Sequence, residues 1–258
     1  MRRPLAHLRP ILALLELQRS TRSSCFLLPT TYSLLPSSMP KRYIPNDKWA
    51  RKAKAEGFRA RSIYKLQELD EKFHLLSHGM RVLDLGAAPG SWLQYVSEKI
   101  GPKGVAIGMD LQEIKHIAPN VETIVQDIMD VQSVADVVRE VIHRRKDKKD
   151  QEDEKGGASF SSFTSSSSCV DLLLSDAAPS TSGIHDVDQW RSIELNQSAL
   201  AVGKALLKPG GRCVLKVFQG ADFDAFLRDV KREWNDVHII KAVTSRDRST
   251  EVYVICRK

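Results

Sequence analysis

The chain has 258 residues, 42% of them hydrophobic, and a formal charge of +7. That supports a real core in one large or two small domains and excludes collagen-like, coiled-coil and wholly disordered chains. The four cysteines, Cys25, Cys169, Cys213 and Cys256, lie far apart without a C-x-x-C pair. This argues against a disulfide framework or a metal site and fits a reducing compartment.

Residues 1–38 hold five arginines, no lysine and a single acid, Glu16, with frequent Ser and Thr from Ser20 onward. That is the composition of an organellar transit peptide, addressed to a mitochondrion or plastid. The apolar run Ile11–Leu17 is too short to span a bilayer, so no membrane is expected. A secretory signal fits less well, since no clear apolar core ends at small residues. The alternatives are an unprocessed tail or translation from Met39, either of which leaves the protein in the cytoplasm or nucleus. Residues 39–58 read as a basic arm, continuing into the domain that spans 59–258. Lys48, Arg51, Lys52, Lys54, Arg59 and Arg61 are its candidate contacts to a polyanionic partner.

A helix is expected over Arg61–Phe73, where Ile63, Leu66, Leu69 and Phe73 recur at spacings of three and four. The pattern then turns α/β. Strands are expected at Arg81–Leu85, Gly104–Met109, Val121–Val125, Val170–Ser175, Arg212–Phe218, Val237–Lys241 and Val252–Cys256. Helices fall at Ser91–Ile100, Val131–His143, Asp188–Leu207 and Asp222–Trp234, with Lys208-Pro-Gly-Gly as a helix stop. Such alternation predicts a mostly parallel seven-stranded sheet with helices on both faces. Arg144–Ser168 breaks the pattern. Its mixed charge and serines lack periodicity, which predicts a disordered surface insertion. An RNA-contacting loop is the weaker alternative, because the charges nearly cancel.

Asp84-Leu-Gly-Ala-Ala-Pro-Gly-Ser-Trp92 follows the first strand and opens a helix. Gly86 and Gly90 allow a tight turn and close ligand approach, and the helix start supplies free N–H groups. The G-x-x-x-G spacing lacks the dinucleotide fingerprint, which suits a cofactor without a pyrophosphate. Asp110 ends the second strand, where a carboxylate can accept a ribose diol. Asp127 follows the third, within reach of an adenine amino group. Either acid alone reads as a strand-end or capping residue; in this order with the glycine loop they read as a nucleotide-like site.

Four further residues invite chemistry. Asp176 follows the fourth strand. Lys216 lies inside the apolar strand Val214–Phe218, where a lysine is costly unless paired or deprotonated; otherwise its amine reaches solvent at the strand end. Glu251 opens the last strand, and Lys65 sits on the first predicted helix. Singly, these two read as an edge acid and a solvated lysine.

Six segments in order carry a resemblance. They are Arg59–Leu66, Asp84–Gly90, Ser175–Pro179, Leu206–Gly211, Val214–Gly220 and Ser245–Tyr253. Together they resemble the FtsJ family of ribose 2′-O-methyltransferases, over residues 48–258 apart from the insertion. The resemblance implies a Rossmann-like class I methyltransferase fold and S-adenosylmethionine as cofactor. It implies a Lys65–Asp176–Lys216–Glu251 tetrad, with cofactor contacts at Gly86, Gly90, Trp92, Asp110, Asp127 and Asp176. The family's second glycine after Gly90 is here Ser91. Lys216 is the expected base only if burial or a nearby cation such as Lys65 lowers its pKa; Asp176 would oppose that shift but could orient the amine. The substrate implied is a uridine of large-subunit rRNA in a ribosomal particle, methylated by a monomer. A tRNA ribose is the runner-up, and a non-catalytic assembly factor is a third reading.

Overall fold

The computed structural model describes residues 48–153, 168–180, 182–245 and 249–258. The expected transit peptide, the first part of the arm and the Ser-rich half of the insertion lie outside the described residues. The elements are α1 (Lys48–Ala55), α2 (Ile63–Phe73), β1 (Arg81–Leu85), α3 (Ser91–Ile100), β2 (Val105–Asp110), β3 (Val121–Val125), α4 (Val131–Asp153), β4 (Val170–Ser175), α5 (His185–Leu206), β5 (Leu207–Phe218), α6 (Phe223–Glu233), β6 (Asn235–Ile240) and β7 (Glu251–Arg257).

The seven strands make one sheet in the order β3-β2-β1-β4-β5-β7-β6. β1 to β5 pair in parallel, and β7 runs antiparallel to both β5 and β6. Apolar helices cover both faces, which explains why the central strands read as continuous hydrophobic runs. Alternation sends Leu83, Leu85, Leu173 and Leu215 to the α4–α6 side. It sends Val82, Leu172, Leu174 and Val214 to the α1–α3 side. The order reverses between β1 and β4, so a crevice opens at their carboxyl ends. The antiparallel sense of β7 brings its first residue, Glu251, to that same edge.

The structure departs from the sequence reading in several places. α4 does not stop at His143 but runs ten residues into the expected disordered insertion. Arg144 and Arg145 tie this turn to Glu122 of β3 at 2.5 and 2.9 Å, and Arg145 also donates to the Pro119 carbonyl. Past that anchor come mainly Lys, Asp, Glu and Gln, and extending a formed helix costs far less than nucleating one. The basic arm also contains a helix, α1. It docks through Trp49 against Tyr64, ring centroids 5.1 Å apart, and through the Tyr64 hydroxyl donating to Glu56. Burial and Glu56 push that phenol's pKa up to about 12. Finally, α5 stops at Leu206 as the Lys208-Pro-Gly-Gly signal predicts, but that segment is already part of β5, which starts five residues earlier than expected. Leu207 pairs with Val170, the register then shifts, and Gly210 turns at φ +81° while its N–H donates to the Lys258 carbonyl.

Candidate active site

The glycine loop is built by close approach. Gly86 has φ +74°, and a Cβ there would lie 2.6 Å from the Ala177 backbone. That contact draws the loops after β1 and β4 together. Gly90, at φ +100°, starts α3. The N–H groups of Gly86 and Ala87 donate to the Met109 carbonyl, and that of Ala88 to Asp110 Oδ2 at 2.9 Å. Asp110 also accepts from Gln112 N at 2.9 Å. Two backbone bonds fix its carboxylate and leave acceptor capacity for a ligand. Asp127 is exposed and accepts from Met129 N through Oδ1. Trp92 is only 2% exposed. Its indole N–H donates to the Ser62 carbonyl and its ring packs near Tyr253. The side chain therefore belongs to the core, and what Trp92 offers a ligand is its backbone N–H in the first turn of α3.

Asp84 was legible in the glycine motif but carried no expected role. It is fully buried, and neither carboxylate oxygen has a partner. Burial raises its pKa well above the ordinary range, and the neighbouring Asp176 and Asp110 raise it further. Three carboxylates thus converge at the adjacent ends of β1, β2 and β4. Such an acidic crevice suits a ligand bearing a cation and hydrogen-bond donors. Among the described residues no His, Cys, Asp and Glu cluster has metal-binding geometry. S-adenosylmethionine, with its ammonium, sulfonium, ribose diol and adenine amine, fits this donor set.

Beside the crevice stand two ion pairs, Lys65–Glu251 buried on both sides and Lys216–Asp176 with a buried lysine and a half-buried carboxylate. Lys65 Nζ meets Glu251 Oε1 at 2.5 Å, and Lys216 Nζ lies 3.2 Å from Asp176 Oδ1. Lys216 also donates to the Asp176 carbonyl, and Ser245 Oγ donates to Glu251. Lys65, Lys216 and Glu251 are all at most 8% exposed, so none is a solvated surface group. The group against the Lys216 amine is the Asp176 carboxylate, while Lys65 is neutralised by Glu251.

Tyr253 links the pairs and had no assigned role in the sequence. It faces Lys216 across β5 and β7, and Glu251 faces Phe218. Its hydroxyl donates to Asp176 Oδ1 at 3.0 Å. Burial, then Asp176 and Glu251, hold its pKa well above the usual phenol value, so it remains a donor. The period-2 repeat that puts Tyr253 on the face of Glu251 was the available signal.

The arm residues separate into two groups. Lys48, Arg51, Lys52 and Lys54 lie exposed on α1, with Lys52 3.8 Å from Glu56 and 4.7 Å from the Tyr64 ring centroid. Arg61 is half-buried. Arg59 forms a clamp. Its guanidinium donates to the carbonyls of Pro89, Lys115 and His116 at 3.0, 2.9 and 2.7 Å. Three of its five donors are thereby committed to loops bordering the glycine cradle.

The family model described as FtsJ-like methyltransferase matches residues 58–258. The chain is 42% identical to the ribosomal RNA large subunit methyltransferase E of Methanothrix thermoacetophila over 212 residues, covering 82% of this chain and 72% of that one. It is 39% identical to the protein of the same name from Syntrophobacter fumaroxidans over 214 residues, 83% and 95% of the two chains. A crystal structure described as a ribosomal RNA methyltransferase from Plasmodium falciparum superposes with a TM-score of 0.61 at 25% identity, over 78% of this chain and 98% of that one. The glycine cradle, the acidic crevice and the paired lysines therefore sit in a protein that belongs to the FtsJ-like methyltransferase family.

Proposed function

We propose that the protein transfers a methyl group from S-adenosylmethionine to the 2′-hydroxyl of a ribose in large-subunit rRNA, a uridine within a ribosomal particle. The observation that carries this reading is the convergence, at one sheet edge, of a three-carboxylate glycine cradle with two lysine–carboxylate pairs. The rRNA assignment draws on the names of relatives about 40% identical.

The cofactor supplies an electrophilic methyl on a sulfonium sulfur. With the cofactor bound, Asp110 and Asp127 would accept hydrogen bonds from its ribose diol and adenine amine, and Asp84 would accept from its ammonium. Lys216 takes the proton of the attacking hydroxyl, and Asp176 fixes the direction of the amine. To act as base the amine must be neutral when the hydroxyl attacks, its own proton having passed to solvent beforehand. Lys65, Glu251 and Tyr253 hold the ribose and the charges around it. Orientation of this kind is worth about 7–11 kcal/mol in well-placed intramolecular reactions.

Labelled S-adenosylmethionine, offered with large-subunit particles, naked rRNA and tRNA, followed by mapping of the methylated ribose, tests the substrate. Label confined to tRNA overturns the rRNA assignment. Residues 1–38 are proposed to address the protein to a mitochondrion or plastid, on the strength of their five arginines and single acid. A fluorescent fusion of that segment that stays in the cytosol removes this address.

A further inference from the structure

β5 carries Lys216 past the end of its parallel neighbour. The last pairing between them is Ser175 with Leu215, yet β5 continues to Phe218. On the β7 side this overhang is paired in register, and Gln219 N–H donates to the Thr250 carbonyl. On the β4 side no strand is left to satisfy the Lys216 carbonyl and the Phe218 N–H. Unpaired buried backbone groups cost about as much as a lost hydrogen bond.

α5 fills the place of the missing strand with side chains. Asn196 Nδ2 donates to the Lys216 carbonyl at 2.8 Å, and Ser192 Oγ accepts from Phe218 N at 3.2 Å. Gln189 packs on Gly220, where an added Cβ would lie 2.5 Å from its Cγ. Thus 196, 192 and 189 on one helix face track 216, 218 and 220 on the strand. These three polar residues are only 2%, 1% and 1% exposed. Asn196 also donates to the Ser192 carbonyl. Two carbonyls against one amide end require the nitrogen there, which fixes the amide's orientation. Asparagine is a poor interior helix residue and is rarely buried. Its presence here is explained by the strand it holds.

We propose that Asn196 and Ser192 are positioning residues for methyl transfer: acting as a surrogate strand, they set the depth of Lys216 beside Asp176 and, through Phe218, the place of Glu251. The inference rests on Lys216 as the base of the proposed reaction. The variants are Asn196→Leu, Ser192→Ala and Lys216→Met, each checked for thermal unfolding and for S-adenosylmethionine affinity by calorimetry.

A misplacement of roughly 1 Å can cost up to about 100-fold in rate. Asn196→Leu and Ser192→Ala are therefore expected to lower kcat about 10- to 100-fold while the cofactor Kd stays within about two-fold. Asn196→Leu added to Lys216→Met is expected to cost little further rate, because residues acting as one unit are non-additive. If Asn196→Leu does not fold, Ser192→Ala and its double variant with Lys216→Met carry the same test. Unchanged kcat, kcat and cofactor affinity falling together, or additive loss in the double variant overturns the positioning role alone. Near-normal turnover by folded Lys216→Met overturns the base assignment and the inference with it.

Discussion

At the scale of single residues, the unpartnered Asp84 should couple cofactor binding to the loss of a proton. Burial, then Asp176 and Asp110, raise its pKa well above the ordinary carboxylate range, and a bound ammonium favours the ionised form. Binding should therefore release a proton, seen as a calorimetric enthalpy that depends on the buffer's ionisation heat. Asp84→Asn should remove that dependence. The sign for stability follows from the raised folded pKa. The folded state keeps the proton that the unfolded chain gives up near pH 4. Stability is then fullest below that pH and is lost as pH rises toward the folded pKa. Without cofactor, Asp84→Asn should match the parent in acid and melt above it near neutrality. A parent that loses no ground to the variant with rising pH would refute a neutral Asp84. Tyr253→Phe removes the donor to Asp176. We expect a stability loss of about 1–3 kcal/mol in denaturant titration and a reduced kcat, with cofactor affinity retained.

At the scale of elements, Arg59 and α1 are adjacent in sequence but do different work. Arg59 joins the Pro89 turn to the 115–116 loop by three bonds, and a Cβ on Gly90 would lie 2.9 Å from its Nη1. Arg59→Ala should loosen this lip and weaken S-adenosylmethionine binding about ten-fold, or ~1.4 kcal/mol. The salt dependence of RNA binding should stay as it was. A changed salt slope with intact cofactor affinity would return Arg59 to the phosphate contacts. The helix α4 teaches a related lesson. Composition beyond Arg144 predicts disorder, but two arginines on one glutamate of β3 supply the anchor from which the helix continues.

At the scale of the whole molecule, the charge is unevenly distributed. Residues 1–38 carry +4, residues 39–65 carry +7, and residues 66–258 carry −4. The domain that holds the cofactor crevice is slightly acidic, as its converging carboxylates require. The excess positive charge is concentrated in the segment that ends at Lys65. Replacing Lys48, Arg51, Lys52 and Lys54 by glutamine should weaken RNA binding and flatten its dependence on salt, with each lost phosphate contact lowering the log–log slope by about 0.7–0.9. Cofactor affinity measured on the same variant should hold. An unaltered slope would show that the arm does not meet phosphate.

Several features of this protein were written in its sequence alone. Alternating apolar runs and turn signals set the α/β class, because period-2 and period-3.6 patterns are local. The glycine motif and strand-end acids marked the cofactor crevice, because strand ends bring them to one edge whatever the packing. Lys65, Asp176, Lys216 and Glu251 were recognised only through their ordered motifs, since each alone resembles an ordinary surface charge. The tertiary structure decided the rest. It showed which lysine faces which carboxylate, because Lys65 and Glu251 are 186 residues apart and their pairing depends on the antiparallel sense of β7. It left Asp84 without a partner, which no spacing predicts, and it turned Arg59 from solvent to backbone carbonyls. It also exposed the overhang of β5 beyond β4, which follows from strand register, and so gave meaning to the buried Asn196 and Ser192 of α5.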